Sequence, residues 1–205
     1  MKKLIALLLA MVLVMGLVAC GNKTPDAPVA DEPVNDTPIQ DEPSQDEPVV
    51  TGPATAVELL ETVWALYGDD EKFPVFGGDG LNMVDGAPGA YTDMEALQSQ
   101  LLVAPEQQAN VTEVASLFHG MMLNNFTCGA FKLAEGVDAA AFADMMKEAV
   151  TTNRWMCGFP EKYMIAVVGE YVVMVFGLND AVNPFEAKLT EAYPQTEVKY
   201  SEAIA

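Results

Sequence analysis

An α+β fold is predicted for residues 54–205 on three observations. Apolar residues first recur there at helical spacing, behind threonine-led capping sequences. Two later runs, 164–168 (MIAVV) and 172–176 (VVMVF), are apolar at every position, as strands buried on both faces are. Further helical patterns lie before and after those runs, so helices and strands are interleaved around one core. A segment of about 150 residues can bury such a core on its own.

The first helix opens at Thr55, which forms a capping box with Glu58; Val57, Leu60, Val63, Trp64 and Tyr67 share one face, and Gly68 stops it. A long loop rich in Gly and Asp follows over 69–93. Thr92 and Glu95 form a second capping box, opening a helix with Met94, Leu97 and Leu101 inward. Val111, Val114, Leu117, Phe118 and Met121 mark a third helix. The pattern then alternates. Residues 126–133 read as a strand, and Asp138 caps a helix that turns Phe142, Met145, Ala149 and Val150 inward. Residues 163–168 and 171–176 are two strands joined by a two-residue turn at Gly169 and Glu170. Asn183 and Pro184 start a helix with Phe185 and Leu189 inward, and 196–201 closes as a strand. N-terminal helices followed by β-α-β-β-α-β is the element order of a ferredoxin-like antiparallel sheet. Its two helices would cover one face of the sheet and the leading helices the other.

The first 53 residues have a different character. A basic start (Met1, Lys2, Lys3), an apolar run over 4–18 broken only by Gly16, and the sequence LVACG over 17–21 make a signal peptide over 1–19. The apolar run, about 15 residues, is short for a lasting membrane span. Small residues before Cys20 resemble the bacterial lipobox. That resemblance implies a lipid thioether on Cys20, cleavage before it and acylation of the new amino terminus. Two or three acyl chains anchor a protein stably where one is marginal. The expected location is therefore the outer, extracytoplasmic face of a cell membrane. Residues 20–53 then form a stalk. Pro28, Pro33, Pro38, Pro43, Pro48 and Pro53 recur every five residues, and Asp26, Asp31, Asp36, Asp41 and Asp46 keep the same period. Such a segment buries too little apolar surface to fold. Proline and like charge extend it, to a reach on the order of 100 Å when stretched.

The formal charge is −20, and near −22 once Lys2 and Lys3 are removed. Charge of that sign excludes nucleic acid and anionic lipid surfaces as partners.

The motifs that carry chemistry are few. Cys128 and Cys157 remain after Cys20 and are the candidates for a redox pair or a disulfide. The preferred reading is two packed free thiols, since no neighbouring thiol is placed to resolve a mixed disulfide. His119 is the only histidine; on the expected third helix Ser116 would share its side, the minimum for a hydrolase but without an orienting group or oxyanion site. Nine methionines in the domain, with pairs at Met121–Met122 and Met145–Met146, suggest core filler, an adaptable binding surface or a soft-metal site. The Gly/Asp loop lacks calcium-loop spacing, so turn chemistry explains it better. Trp155, Phe159 and Pro160 cluster with Cys157 and are expected to be buried under the sheet; exposed, they would make a contact site. No cofactor and no metal is expected, and no catalytic constellation stands out.

Four runs also resemble a known group: 73–79 (FPVFGGD), 84–89 (VDGAPG), 125–131 (NFTCGAF) and 155–160 (WMCGFP). They look like small lipoproteins of anaerobic Gram-positive bacteria, some labelled bacteriocin transport accessory protein. The C-terminal half resembles the domain of unknown function 4358 family. The resemblance implies no activity and no functional residues. The accessory label implies at most help in exporting or tolerating a peptide; thioredoxin-like proteins of that label carry Cys-x-x-Cys, which this chain lacks. The expected function is a lipid-anchored surface domain that binds a protein or peptide partner, with a thiol-redox or export-accessory role for Cys128 and Cys157 as the alternative.

Overall fold

The computed structural model describes residues 52–205. The signal peptide, Cys20 and the stalk as far as residue 51 lie outside the described residues. The chain runs α1 (Ala56–Ala65), β1 (Val75–Gly77), β2 (Val84–Asp85), β3 (Gly89–Ala90), α2 (Leu97–Leu101), β4 (Val111–His119), β5 (Phe126–Leu133), α3 (Ala139–Thr152), β6 (Lys162–Val168), β7 (Tyr171–Gly177), α4 (Asn179–Ala192) and β8 (Glu197–Ala203). Short 3-10 segments, Pro105–Asn110 and Leu123–Asn125, precede β4 and β5. The strands form one antiparallel sheet in the order β2-β1-β4-β5-β7-β6-β8, with β3 added to β4. The fold is α+β.

Local signals set several boundaries. Thr55 Oγ1 accepts the Glu58 N–H at 3.0 Å and starts α1. Asp138 Oδ1 accepts from the Ala140 and Ala141 amides and starts α3. Gly169 takes φ +59° between β6 and β7, which a tight hairpin needs and glycine supplies without strain.

The two split crossovers, β5-α3-β6 and β7-α4-β8, each step over one strand in the same direction across the sheet. They start from antiparallel strands. Right-handed crossovers then place their helices on opposite faces, and the packing agrees. One core layer joins α4 (Val182, Phe185, Leu189) and α1 (Leu59, Leu60, Val63) to one face of the sheet. The other joins α3 (Phe142, Met146, Val150) and α2 (Leu97, Leu101) to the opposite face. Both faces are thus covered, and the middle strands β5 and β7 are buried almost throughout.

This arrangement corrects five expectations. The two crossover helices, expected on one face of the sheet with the leading helices on the other, lie on opposite faces, each beside one leading helix. The segment expected as a third helix is strand β4. Its residues 114–118 are buried on both sides, and spacing alone cannot separate such a run from a buried helix. The ferredoxin-like sheet is corrected with it. In that arrangement the last strand returns beside the first of the four, but here β4 holds that edge of β5. The closing strand β8 pairs with β6 instead. The second helix is a short one, because Thr92 does not cap it: its amide and hydroxyl both donate to Asp79. Helix α4 begins before Pro184, at Asn179, whose backbone and side-chain N–H groups both donate to Glu161 Oε2 at 2.9 Å.

Candidate functional site

Three segments meet at the end of the sheet where β5 begins and β7 ends: the C-terminal turn of α2, the β4–β5 connection and the α3–β6 loop. Asn124 ties the last two together, donating through Nδ2 to the Met156 carbonyl at 2.8 Å and the Gly158 carbonyl at 2.9 Å. Thr127 Oγ1 donates to the Leu123 carbonyl at 3.0 Å and fixes the turn into β5. The Trp155 ring packs on Phe176 at the end of β7, with centroids 4.8 Å apart. Gly158 faces Met122 so closely that a Cβ there would lie 2.9 Å from the Met122 sulfur.

Two features mark this end. First, it is apolar and exposed: Met121, Met122, Leu123, Met156 and Phe159 all reach solvent, Met121 at 82% and Met156 at 77%. Five exposed apolar residues on two loops that Asn124 ties together are unusual, since exposed apolar residues are ordinarily scattered. Second, the only non-glycine residues with positive φ, among those described, are Leu102 (60°) and Cys157 (59°), and both belong to it. Strain of this kind collects at functional sites.

Beside the patch lies a cleft of about 220 Å³, walled by Leu102, Leu123 and Phe176 and rimmed by Gln100, Asn124 and Arg154. A larger trough, about 610 Å³, lies at the opposite end around Lys132 and the Gly169–Glu170 turn. Its one cation, Lys132, is already paired with Glu170 at 3.4 Å.

The sequence-derived candidates fall as follows. Cys128 is enclosed in the α1/α4 core layer and Cys157 is exposed; both are free thiols. Burial pushes the Cys128 thiol well above its ordinary range, away from the reactive thiolate. The two do not meet as a pair. Ser116 and His119, expected on one side of a helix, lie on opposite faces of β4. Ser116 Oγ is buried and donates to the Gly78 carbonyl at 2.6 Å. His119 stacks on Phe73 (5.4 Å, 15°), and its Nδ1 accepts the Met121 N–H. Burial lowers its pKa.

In the Gly/Asp loop, Asp79 is buried and both its carboxylate oxygens are filled. Oδ1 accepts from the Leu81 and Asn82 amides; Oδ2 accepts from the Thr92 amide, the Thr92 hydroxyl and the Asp93 amide. That is turn chemistry, with no lone pair turned outward for a cation. Among the described residues, no group of three His, Cys, Asp or Glu side chains could hold a metal ion. The aromatic cluster expected to be buried divides: Pro160 is buried, Trp155 is half-buried and Phe159 is 57% exposed. The loop turns Phe159 out because Cys157 and Gly158 both take positive φ just before it.

Arg154, Asn124 and Gln100 were not singled out by pattern. The available signal was composition: Arg154 is the only arginine in the chain, and residues 119–125 and 153–160 contain no Asp or Glu among 30 in the whole.

No family model, no curated protein and no solved structure matches the chain.

Proposed function

We propose that residues 54–205 are the binding head of a lipid-anchored extracytoplasmic lipoprotein, and that the loop end of the sheet engages an apolar segment of a protein or peptide partner. The observation that carries this reading is the exposed apolar surface of Met121, Met122, Met156 and Phe159, locked by Asn124 across two loops. Methionine side chains supply adaptable, polarisable contact area, and aromatic ones large, rigid contact area. The acid-free composition of these loops supports the same face, since a partner's apolar segment is not asked to desolvate carboxylates there. The lipobox and the Pro/Asp stalk support presentation outside the cell at a distance from the membrane, as does the resemblance to small surface lipoproteins.

The test is site-specific photocrosslinking on intact cells, with the crosslinker at Met121 or Phe159 and, as control, at Lys199 on the far edge strand β8. The expected result is one discrete crosslinked species at the first two positions and none at the third. That species should also be lost when Met156 and Phe159 are both replaced by serine. Equal labelling at all three positions, or labelling indifferent to the serine changes, would overturn the reading.

A further inference from the structure

The cleft beside the apolar patch has a charge logic that its neighbours lack. Five of the domain's lysines, Lys132, Lys147, Lys162, Lys188 and Lys199, lie within 3.4 Å of a carboxylate. Arg154 forms neither a salt bridge nor a hydrogen bond among the described residues, and it lines the cleft. None of the residues lining the cleft is Asp or Glu. Trp155 lines it too, and its indole Nε1–H is shut off from water with no acceptor. A buried N–H without an acceptor is costly and needs an explanation, of which a bound acceptor is one; the Tyr67 and Tyr171 hydroxyls are likewise unpartnered, but neither lines this cleft. Its counterpart Trp64, by contrast, donates to the Gly86 carbonyl at 3.1 Å. Asn124 and Gln100 add amide groups at the rim, and Leu102, Leu123 and Phe176 supply an apolar wall.

We infer that this cleft binds a carboxylate carried on an apolar body, such as the free C-terminus of an apolar peptide. Arg154 supplies the fork-shaped, permanently charged donor that matches a carboxylate. The Trp155 N–H gains its missing acceptor through a small turn of the indole towards the bound group. The apolar body lies on Leu102, Leu123 and Phe176. This inference rests on the loop end being the binding face and specifies the chemistry it selects.

The test uses the full chain in detergent micelles, labelled with ¹⁵N at its two tryptophans, so that the indole N–H spectrum contains only Trp64 and Trp155. Three probes are titrated: an N-acetylated tripeptide ending in phenylalanine as the free acid, the same peptide as its amide, and 3-phenylpropanoate. The expected result is a shift of the Trp155 signal with both acids, no shift of Trp64, and no response to the amide. Arg154→Gln, at an exposed position that leaves both indole signals in place, should weaken acid binding about tenfold or more. A tighter peptide acid than 3-phenylpropanoate assigns the carboxylate to a peptide terminus; equal affinities assign it to a small molecule. An amide that binds as well as the acid, an unchanged affinity in Arg154→Gln, or a Trp155 signal that moves with no probe would overturn the inference. If it fails while crosslinking at Met121 and Phe159 persists, the binding face stands and only its carboxylate chemistry is lost.

Discussion

Asp79→Asn is the substitution whose cost can be worked most directly from the structure. The two side chains have the same shape, but asparagine offers one acceptor oxygen where aspartate offers two. If the amide nitrogen replaces Oδ1, the Leu81 and Asn82 amides lose their acceptor. If it replaces Oδ2, the Thr92 amide and hydroxyl and the Asp93 amide lose theirs. The cheaper choice strands the Leu81 and Asn82 amides; both residues are exposed, so water recovers part of what is lost and the loss is about 1–3 kcal/mol in all. The pH dependence adds a second signature. Burial pushes the Asp79 carboxyl upward, but the Thr92 and Leu81 amides, the Thr92 hydroxyl and the Asp93 amide outweigh it and hold the group well below the usual carboxylate range. A depressed pKa contributes stability that is complete above the unfolded-state value, about 3.9 for aspartate, and is lost only as pH falls through the lower folded value. Urea unfolding of wild type and Asp79→Asn should therefore differ by the same amount at pH 7 and pH 5, and the gap should narrow only in stronger acid. A gap under about 1 kcal/mol at pH 7 would refute the accounting of donors. A gap that closes between pH 7 and pH 5 would refute the sign of the shift.

Three further outcomes are expected. Alkylation followed by intact mass should modify one thiol, Cys157, in the native domain and both Cys128 and Cys157 only after denaturation; two slow thiols or a bridged species would contradict the free, one-buried arrangement. Cys157→Gly should stabilise the domain by about 0.5–1 kcal/mol, because relief of left-handed strain, about 1–3 kcal/mol, exceeds the backbone entropy that glycine adds; a lower unfolding midpoint in urea would show that Cys157 is held there without strain. Gly129→Ala should destabilise by about 1–3 kcal/mol in the same assay, since the added Cβ would sit 2.7 Å from the Phe131 ring and 3.2 Å from Leu101 Cδ2; a neutral result would mean that the Phe131 ring moves aside freely.

What the sequence made legible was whatever rests on local chemistry. Thr55 and Asp138 cap where their side chains said they would. The runs 164–168 and 172–176 are buried strands because only a doubly covered sheet removes both of their faces from water. The misreadings share another cause: each hinged on a partner distant in the chain. Thr92 fails as a helix cap because Asp79, thirteen residues earlier, takes its hydroxyl and amide. Asn179 starts α4 because Glu161 receives its N–H groups. Residues 111–119 become a strand because β5 and β1 flank them, although Val114, Leu117, Phe118 and Met121 also satisfy a helical stripe. That substitution of strand for helix alone moves β8 to the other side of the sheet and separates Ser116 from His119.

The end proposed to bind was hidden for the same reason. Its residues come from 99–102, 123–127, 153–156 and 176, segments that no local period connects. Its charge, however, could be read from composition. In a chain of net charge −20, an anion is repelled at long range, though physiological salt screens that repulsion beyond about 8 Å. A bare anion therefore gains little on approach and has only Arg154 at contact. A ligand that also buries apolar surface against Leu102, Leu123 and Phe176 gains about 25 cal/mol per Å² covered, which sets it apart from phosphate or acetate. On the inference above, the acidic surface would act as a filter as well as a solubilising coat, disfavouring small anions while the acid-free cleft retains a carboxylate with an apolar body. Acetate at the concentrations that saturate the tripeptide acid should accordingly leave the Trp155 indole signal where it is, and a shift with acetate would assign the cleft to charge alone.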